Sequence, residues 1–431
     1  NPLTVMPMPT NSPTTEDFLL AAKRAEISSL HQLLVSCGLV TKVTELIHEL
    51  QRERGLSNTY LVSDGQRFAE QRNEELKATG IAEANFRSAL SQLDLNNSAP
   101  SSTRLYSSIA FVLHCLDDLP ALRLQITAKS IDANDNTTLF SRLIAGLLAV
   151  VFEAADISTD PDITRALVAM FNFVQGKEYA GQERAWGLIG YTAGDFTSDT
   201  QSRLKALQDA QARCIDIFND FSQTVPAAQW RQIECNEASG EIDRLRQMIN
   251  RYRKGDALPT AISEVWYEVA TRRIDSMQEI EQELATELLV LCETKIKQAE
   301  EDLRLHHEHL KELATIDEPP MSPLSVLPED SAKSAMNVAP GVNIKLARSI
   351  YELVQGQAER LQRISEELIE ARQALDERKL IDKAKGLLIQ SKGITEDEAY
   401  RQLRQAAMDN NKRIADVAAN VISVAEMLTS R

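Results

Sequence analysis

The sequence predicts an all-α protein, on three observations. Long proline-free runs rich in Leu, Ala, Glu and Arg repeat their apolar residues at the helical period, and no alternating strand pattern of useful length occurs. The 14 prolines and 16 glycines gather at a few places that read as breaks between helices. A chain of 431 residues with 43% hydrophobic content is also long enough for two or three domains with proper cores.

Residues 1–14, rich in Pro, Thr and Ser, are expected to form a disordered N-terminus. Helices are expected from about Glu16 to Leu34 and from about Thr41 to Leu61, the second ending near Asp64-Gly65. The apolar period continues over about 66–94, 102–128, 137–155, 163–175, 180–193, 199–223 and 227–252. Breaks fall at Asn96 to Pro100, Asp132 to Asp135 and Ser158 to Pro161. A long helix rich in Glu and Arg then runs from about Pro259 to Leu313. Antiparallel helices with short connections pack as four-helix bundles, and this count fits two such bundles sharing the long last helix over residues 15–315. An internal echo suggests duplication: Gln51-Arg52-Glu53-Arg54-Gly55-Leu56 before Asp64-Gly65, and Gly181-Gln182-Glu183-Arg184-Ala185 before Gly194-Asp195.

Pro319, Pro320, Pro323, Pro328 and Pro340 make residues 316–343 a linker, because proline cannot continue a helix. Residues 344–378 follow as a coiled-coil helix. Its seam is Leu346, Ile350 and Leu353, then, after a slip near Gln357, Leu361, Ile364, Leu368, Ala371 and Leu375. Such a seam either joins two copies or docks the helix on its own chain, and a homodimer is the favoured expectation. Residues 379–431 give a small three-helix bundle. Its first helix ends at Gly393, a residue type that enters the left-handed conformation without steric cost. Thr395 and Glu398 form a capping box for the second, which carries Ala399, Leu403, Ala406 and Ala407 on one face. After Asp409-Asn-Asn, the residues Ile414, Val417, Ala418, Val421 and Ile422 stripe the third.

The chain has a formal charge of −16, yet residues 379–413 hold eight basic side chains against five acidic ones, a local excess of +3. A solvated helix surface accounts for an excess of that size; so does a surface for a polyanion. The longest apolar run, Leu143 to Phe152, is about half a membrane span. With no signal-peptide pattern at the start, a cytoplasmic protein without a membrane segment is expected. Cys37, Cys115, Cys214, Cys235 and Cys292 are odd in number and widely spaced, which suggests neither a disulfide framework nor a zinc site. Glu45-x-x-His48 has the spacing of a di-iron helix but no second such pair, and His306, His307 and His309 lie among Glu and Arg. Both read as solvated helix surface, so no metal is expected. There is no Walker loop, dinucleotide fingerprint or HExxH, so neither an enzyme nor a cofactor is indicated.

The stretch Asp382-x-Ala384-Lys385-Gly386-Leu387-Leu388-Ile389-Gln390 continues with Gly393-Ile-Thr-Glu-Asp-Glu-Ala399-Tyr400, Leu403, Arg404, Ala407-Met408 and Ile414-Ala-x-Val417-Ala418. Together they closely resemble the ANTAR RNA-binding domain of bacterial transcription antiterminators. The resemblance implies recognition of paired short hairpins in leader RNA, which keeps a terminator from forming. It also implies contact through the helical surface around Lys385, Tyr400, Arg404, Lys412 and Arg413, with Lys383, Lys392 and Arg401 as weaker candidates. The chemistry agrees, since Lys and Arg contact phosphate and an exposed Tyr stacks on a splayed base. Tyr400 is equally compatible with a core position. The rival from another class is a helical signalling scaffold whose C-terminal bundle binds a protein partner.

Arg52-Glu53-Arg54-Gly55-Leu56-Ser57 lies in a helix carrying Val43, Leu46, Ile47, Leu50, Leu61 and Val62. Arg54 and Ser57 share one side of it, and the Gly beside the arginine allows close backbone approach. A buried arginine needs an anion, either an internal carboxylate such as Glu53 or one from another helix, or a ligand. With Gly181-x-Glu183-Arg184-Ala185 and Trp266-x-x-x-x-Thr271-Arg272-Arg273-Ile274-Asp275, this stretch resembles the NIT domain, the helical nitrate- and nitrite-sensing domain. NIT followed by ANTAR is the arrangement of nitrate-responsive antiterminators, and the resemblance covers about residues 15–431. It implies nitrate or nitrite as a regulatory ligand held by Arg54 and by Arg244 in Glu241-Ile-Asp-Arg244-Leu-Arg246; Arg184, Arg273 and Ser57 are weaker candidates. A guanidinium offers paired N–H donors to a flat oxyanion, which lysine does not. At a ceiling of roughly 1.5 kcal/mol per heavy atom, four atoms supply about 6 kcal/mol, a Kd near tens of micromolar. Anion capture is expected to relieve autoinhibition, the acidic sensor covering the basic bundle until then. The expected targets are nitrate assimilation genes.

Overall fold

The computed structural model describes residues 15–93, 95, 103–222, 225–234, 237–254, 256, 258–259, 261–314, 344–394, 396–410 and 412–429. Among them every regular element is a helix: α1 (Thr15–Val62), α2 (Ala69–Leu90), α3 (Thr103–Thr127), α4 (Ala133–Ile157), α5 (Pro161–Ala193), α6 (Ser198–Phe221), α7 (Val225–Glu234), α8 (Glu237–Arg251), α9 (Ile262–Ala314), α10 (Ile344–Lys392), α11 (Glu396–Asp409) and α12 (Ile414–Thr429). The expected disordered N-terminus, the proline-rich linker and the Thr395 cap lie outside the described residues.

Three expected boundaries differ. The helices foreseen on either side of Gly38 are one 48-residue α1, in which Thr41 Oγ1 donates to the Gly38 carbonyl. One glycine costs a helix about 1 kcal/mol, less than burial of Cys37, Leu39, Val40 and Val43 returns. The two segments expected around Gly176 are likewise one α5, where Cys214 of α6 packs within 3.3 Å of the place a Gly176 side chain would take. Conversely, the stretch expected as a single helix to residue 252 is split into α7 and α8.

α5 is the central helix. Asp160 caps it by accepting from the Asp162 and Ile163 N–H groups, Pro161 opens it, and Gly194 closes it at φ 67°. Most of its residues are buried, from Pro161 to Tyr191, as befits a helix covered on all sides. Phe173 on α5 meets Phe218 of α6 and Trp230 of α7 edge to face or tilted, at ring separations of 4.7 and 5.3 Å. Further along, the Trp266 Nε1–H of α9 donates to the Arg184 carbonyl at 2.9 Å, with the indole lying against Gly187. By length and composition α1, α3 and α4 are each apolar enough to cross a membrane, which goes beyond the half-span read from the sequence. In this fold Phe140, Ile144, Leu147 and Val151 of α4 are buried.

The chain divides into two compact units, Val35–Leu289 with Ile369–Arg431, and Asn1–Leu34 with Val290–Leu368. In the second of these, Leu20, Leu30 and Leu33 of α1 and Cys292, Ile296 and Ala299 of α9 are buried, and Arg360 of α10 pairs with Glu26 at 2.7 Å. The expected coiled-coil helix and the first helix of the C-terminal bundle are one continuous α10, of which residues 369–392 belong to the first unit. Ala371 and Leu375 of its seam are buried, Arg372 Nη2 donates to the Ser158 carbonyl at 2.7 Å, and Glu370 pairs with Arg165 at 3.0 Å. Over these residues the seam is docked on its own chain, whereas Leu361 and Ile369 are exposed. The C-terminal bundle buries Ala384, Leu403, Ala407, Val417, Ala418 and Ile422, and Gly393 ends α10 at φ 63°.

A Cβ at Gly187 would stand 2.3 Å from the Trp266 ring. Gly187→Ala is therefore expected to destabilise the fold by about 1–3 kcal/mol through overpacking, read as a lower urea midpoint.

Candidate functional site

Where α1 crosses α5, two arginines are folded into the core on each other's glycines. The Arg54 guanidinium lies where a Gly181 side chain would begin, its Nη2 at 2.6 Å from that point, and the Arg184 guanidinium occupies the same place over Gly55 at 2.5 Å. The close approach expected at Gly55 is thus made by a guanidinium from another helix. Both arginines are buried. Arg54 is neutralised: Nη1 and Nη2 donate to the two Glu178 oxygens at 2.7 and 3.0 Å, and Nη1 also donates to Ser141 Oγ at 2.8 Å. Gln51 and Gln182 donate to the same carboxylate at 2.8 Å each. Arg184 has neutral acceptors only, Thr271 Oγ1 at 2.9 Å and the Gln51 carbonyl at 3.0 Å, with its Nε unpartnered. It lies over the Tyr267 ring at 5.3 Å, and burial lowers its pKa.

Two further buried carboxylates flank this crossing. Glu53 receives a two-point contact from Arg123 at 2.7 and 2.8 Å, and Glu183 receives the same from Arg246 at 2.7 Å. Gln208 and Gln211 also donate to Glu183. Burial raises the Glu183 pKa, but Arg246 outweighs it and the carboxyl titrates below its usual range. A second arginine stands beside each pair: Arg72, which donates to Ser57 Oγ at 3.3 Å, and Arg273, which donates to Gln211 Oε1 at 2.8 Å. Burial, then Arg246, pushes the Arg273 pKa down to about 10. The echo seen in the sequence therefore has matching contacts. One offset along the chain carries Glu53 to Glu183, Arg54 to Arg184, and the Ser141 hydroxyl under Arg54 to the Thr271 hydroxyl under Arg184.

Arg54, Arg184 and Ser57 are accordingly buried, and Arg273 is half-buried beside Glu183. Arg244 is not brought to them. It is exposed, because Ile242, Leu245 and Ile249 take the inward stripe of α8, and its neighbour Arg246 is the arginine turned inward. The expected opposition of Arg54 and Arg244 is thus not assembled in this structure. His48, read from the sequence as solvated surface, is buried with its Nδ1 unpartnered, whereas Glu45 pairs with Lys42 at 2.8 Å on the outside. Glu178, Arg123 and Arg72 were not legible as partners, since their significance lies in meetings between distant helices.

The expected RNA surface lies in the same compact unit, and part of it is covered. Arg404 pairs with Asp209 of α6 at 2.9 Å, and the Arg213 guanidinium of α6 covers the half-buried Tyr400 ring at 4.7 Å. Nearby, Lys379 pairs with Asp156, and Arg378 lies over Phe171 at 4.9 Å while donating to Gln175 Oε1 at 3.1 Å. Lys385 pairs with Asp382 at 2.7 Å, Arg413 with Glu377 at 2.8 Å, and Arg401 with Glu398. Lys392 donates to Gln402 at 2.8 Å; Lys383 and Lys412 are exposed.

Residues 45–289 match the family model described as nitrate and nitrite sensing, and residues 370–422 match the ANTAR domain. The chain is 32% identical to the nitrate regulatory protein of Klebsiella oxytoca, over 96% of each. It is also similar to a solved structure, that of the NasR transcription antiterminator, at a TM-score of 0.61 and 29% identity, over 96% of this chain and all of the other.

One buried carboxyl adds a pH dependence. Burial and a hydrogen bond with Glu49 push the Glu75 pKa up to about 8, although Arg52 pairs with it at 3.1 Å. The folded state then holds a proton that the unfolded state releases above its ordinary carboxyl pKa. Stability is expected to fall as pH rises from about 5 to 8 and to level off beyond. Glu75→Gln should flatten that decline in thermal melts taken across this range.

Proposed function

Because the chain belongs to the family of nitrate- and nitrite-sensing regulators that carry an ANTAR domain, we propose that the crossing of α1 and α5 receives the anion. The protein is a nitrate-responsive transcription antitermination regulator and not an enzyme. The observation that carries the proposed site is the mismatch in charge: Arg54 and Arg184 are both buried, and Glu178 neutralises only the first. A buried guanidinium without a counter-charge is costly, and a small flat oxyanion supplies the missing negative charge together with acceptors for the unpartnered Nε. Nitrate or nitrite bracketed by Arg184 and Arg54 is the reading this favours.

The C-terminal bundle is proposed to bind paired hairpins in leader RNA through Tyr400, Arg404, Lys385, Lys412 and Arg413, so that the terminator does not form. Contacts of Arg404 with Asp209 and of Tyr400 with Arg213 support autoinhibition by direct cover. α5 offers the route of release. Glu178 and Arg184 meet side chains or backbone of α1, and Phe171 and Gln175, two turns and one turn before Glu178, hold Arg378 of α10. An anion that redistributes the Glu178 hydrogen bonds shifts α5 and loosens α10. The protein would act in the cytoplasm on nitrate assimilation genes, as a homodimer joined through the 344–378 helix, where Leu361 of the seam is exposed.

Calorimetric titration with nitrate tests the site. Arg184→Ala should lose about tenfold or more in affinity while keeping or gaining stability, since it removes an uncompensated charge. Arg54→Ala should lose binding and also stability, by about 3–5 kcal/mol, because Glu178 is then left buried and alone. Unchanged binding in both variants would refute the site. For the cover, Asp209→Lys should bind leader RNA without nitrate as tightly as the parent does with it, in a filter-binding assay at fixed salt.

A further inference from the structure

The two halves of the α1–α5 crossing match at Glu53 and Glu183, Arg54 and Arg184, and Ser141 and Thr271, and they differ at the position beside each arginine that answers its charge. The offset that carries Arg54 to Arg184 and Ser141 to Thr271 also carries His48 to Glu178. Beside Arg54 the place is filled by a carboxylate that accepts both guanidinium arms. Beside Arg184 the corresponding place on α1 belongs to an imidazole, and an imidazole does not neutralise a guanidinium. His48 lies one turn before Gln51, whose carbonyl accepts from Arg184, and two turns before Gly55, against which Arg184 rests. Its side chain is 8% exposed and its Nδ1 has no hydrogen-bond partner.

We propose that His48 is a ligand-binding residue of the anion site: its unpartnered ring nitrogen and the Arg184 guanidinium together hold, for nitrate or nitrite, the place that Glu178 fills beside Arg54. The inference rests on the α1–α5 crossing being the anion site and adds the residue that makes one half of it receptive. A buried polar atom without a partner is costly, and an oxyanion removes that cost by accepting an Nδ1–H. The surrounding charges fit. Lys177 of α5, Arg52 on the same helix and Arg184 face the ring, and burial together with these three cations pushes the His48 pKa down to about 2. The imidazole is therefore neutral, and its Nδ1–H tautomer donates without being a rival cation. Lys177 already has Glu281 and Gln278 of α9 as partners at 2.5 and 2.6 Å, so it does not call for the anion itself.

The test is nitrate titration of the full chain by calorimetry, with the histidine ring signals followed by NMR. His48→Glu copies the Glu178 arrangement and should weaken nitrate binding at least about tenfold by supplying Arg184 with its own carboxylate. His48→Met fills the space without a donor and should weaken it about tenfold as well, and His48→Gln, which keeps an N–H, should stay within about threefold of the parent. Should the Glu variant fail to fold, the Met and Gln pair decides the matter. In the parent, nitrate should move the one ring signal that His48→Gln removes. Equal affinity in parent and Met variant, or an unmoved His48 signal at saturating nitrate, would overturn the inference while leaving the crossing as the anion site. No heat of binding in the parent would instead overturn the site, and this inference with it.

Discussion

A guanidinium cannot stay in a helical core without something to answer its charge, and this chain buries two of them at one helix crossing, where a carboxylate pairs with the first alone. Arg54 and Arg184 come from helices far apart in sequence, and each rests where the other helix has dispensed with a nearby side chain. The glycines are there because the guanidinium groups are. A larger residue at either position would displace the guanidinium that rests there. The hydroxyls of Ser141 and Thr271 then fix each arginine at its far side, on α4 and α9. Four helices are therefore tied to one small charged centre, and whatever changes the charge there is felt by all of them.

The matched halves explain how such a centre arises and why it is not symmetric. A repeated Glu-Arg pair supplies one buried carboxylate and one buried guanidinium on each of α1 and α5. The carboxylates turn outward to Arg123 and Arg246, leaving the guanidinium groups at the crossing itself. Only one of them finds a counter-charge, in Glu178. Arg184 has neutral acceptors in its place, and a buried guanidinium held that way is costly. α5 carries the centre and the α10 contact within two turns of each other, Phe171 and Gln175 preceding Glu178, and a rigid helix transmits displacement better than any loop would.

Helical periodicity, caps and the C-terminal charge excess were legible along the chain because each depends on residues a few positions apart. The stripe Ala399, Leu403 and Ala407 and the Gly393 terminus hold in the structure for that reason. The gaps expected between Leu34 and Thr41 and between residues 175 and 180 are closed in the structure, since local propensity weighs about 1 kcal/mol against the burial that tertiary packing supplies. Arg54 stood out through its motif; Arg244 stood out equally and is exposed, since a one-residue step on α8 decides which arginine faces inward.

Composition and spacing were thus sufficient for the helices and for the buried stripes of the C-terminal bundle. Which arginine would lack a carboxylate, that a histidine stands in the place of Glu178, and that α6 covers Arg404 and Tyr400 required the folded chain. Those are questions of which distant side chains share a few ångströms of low-dielectric space. Charges separated by more than a hundred residues have no relation until packing removes the water between them.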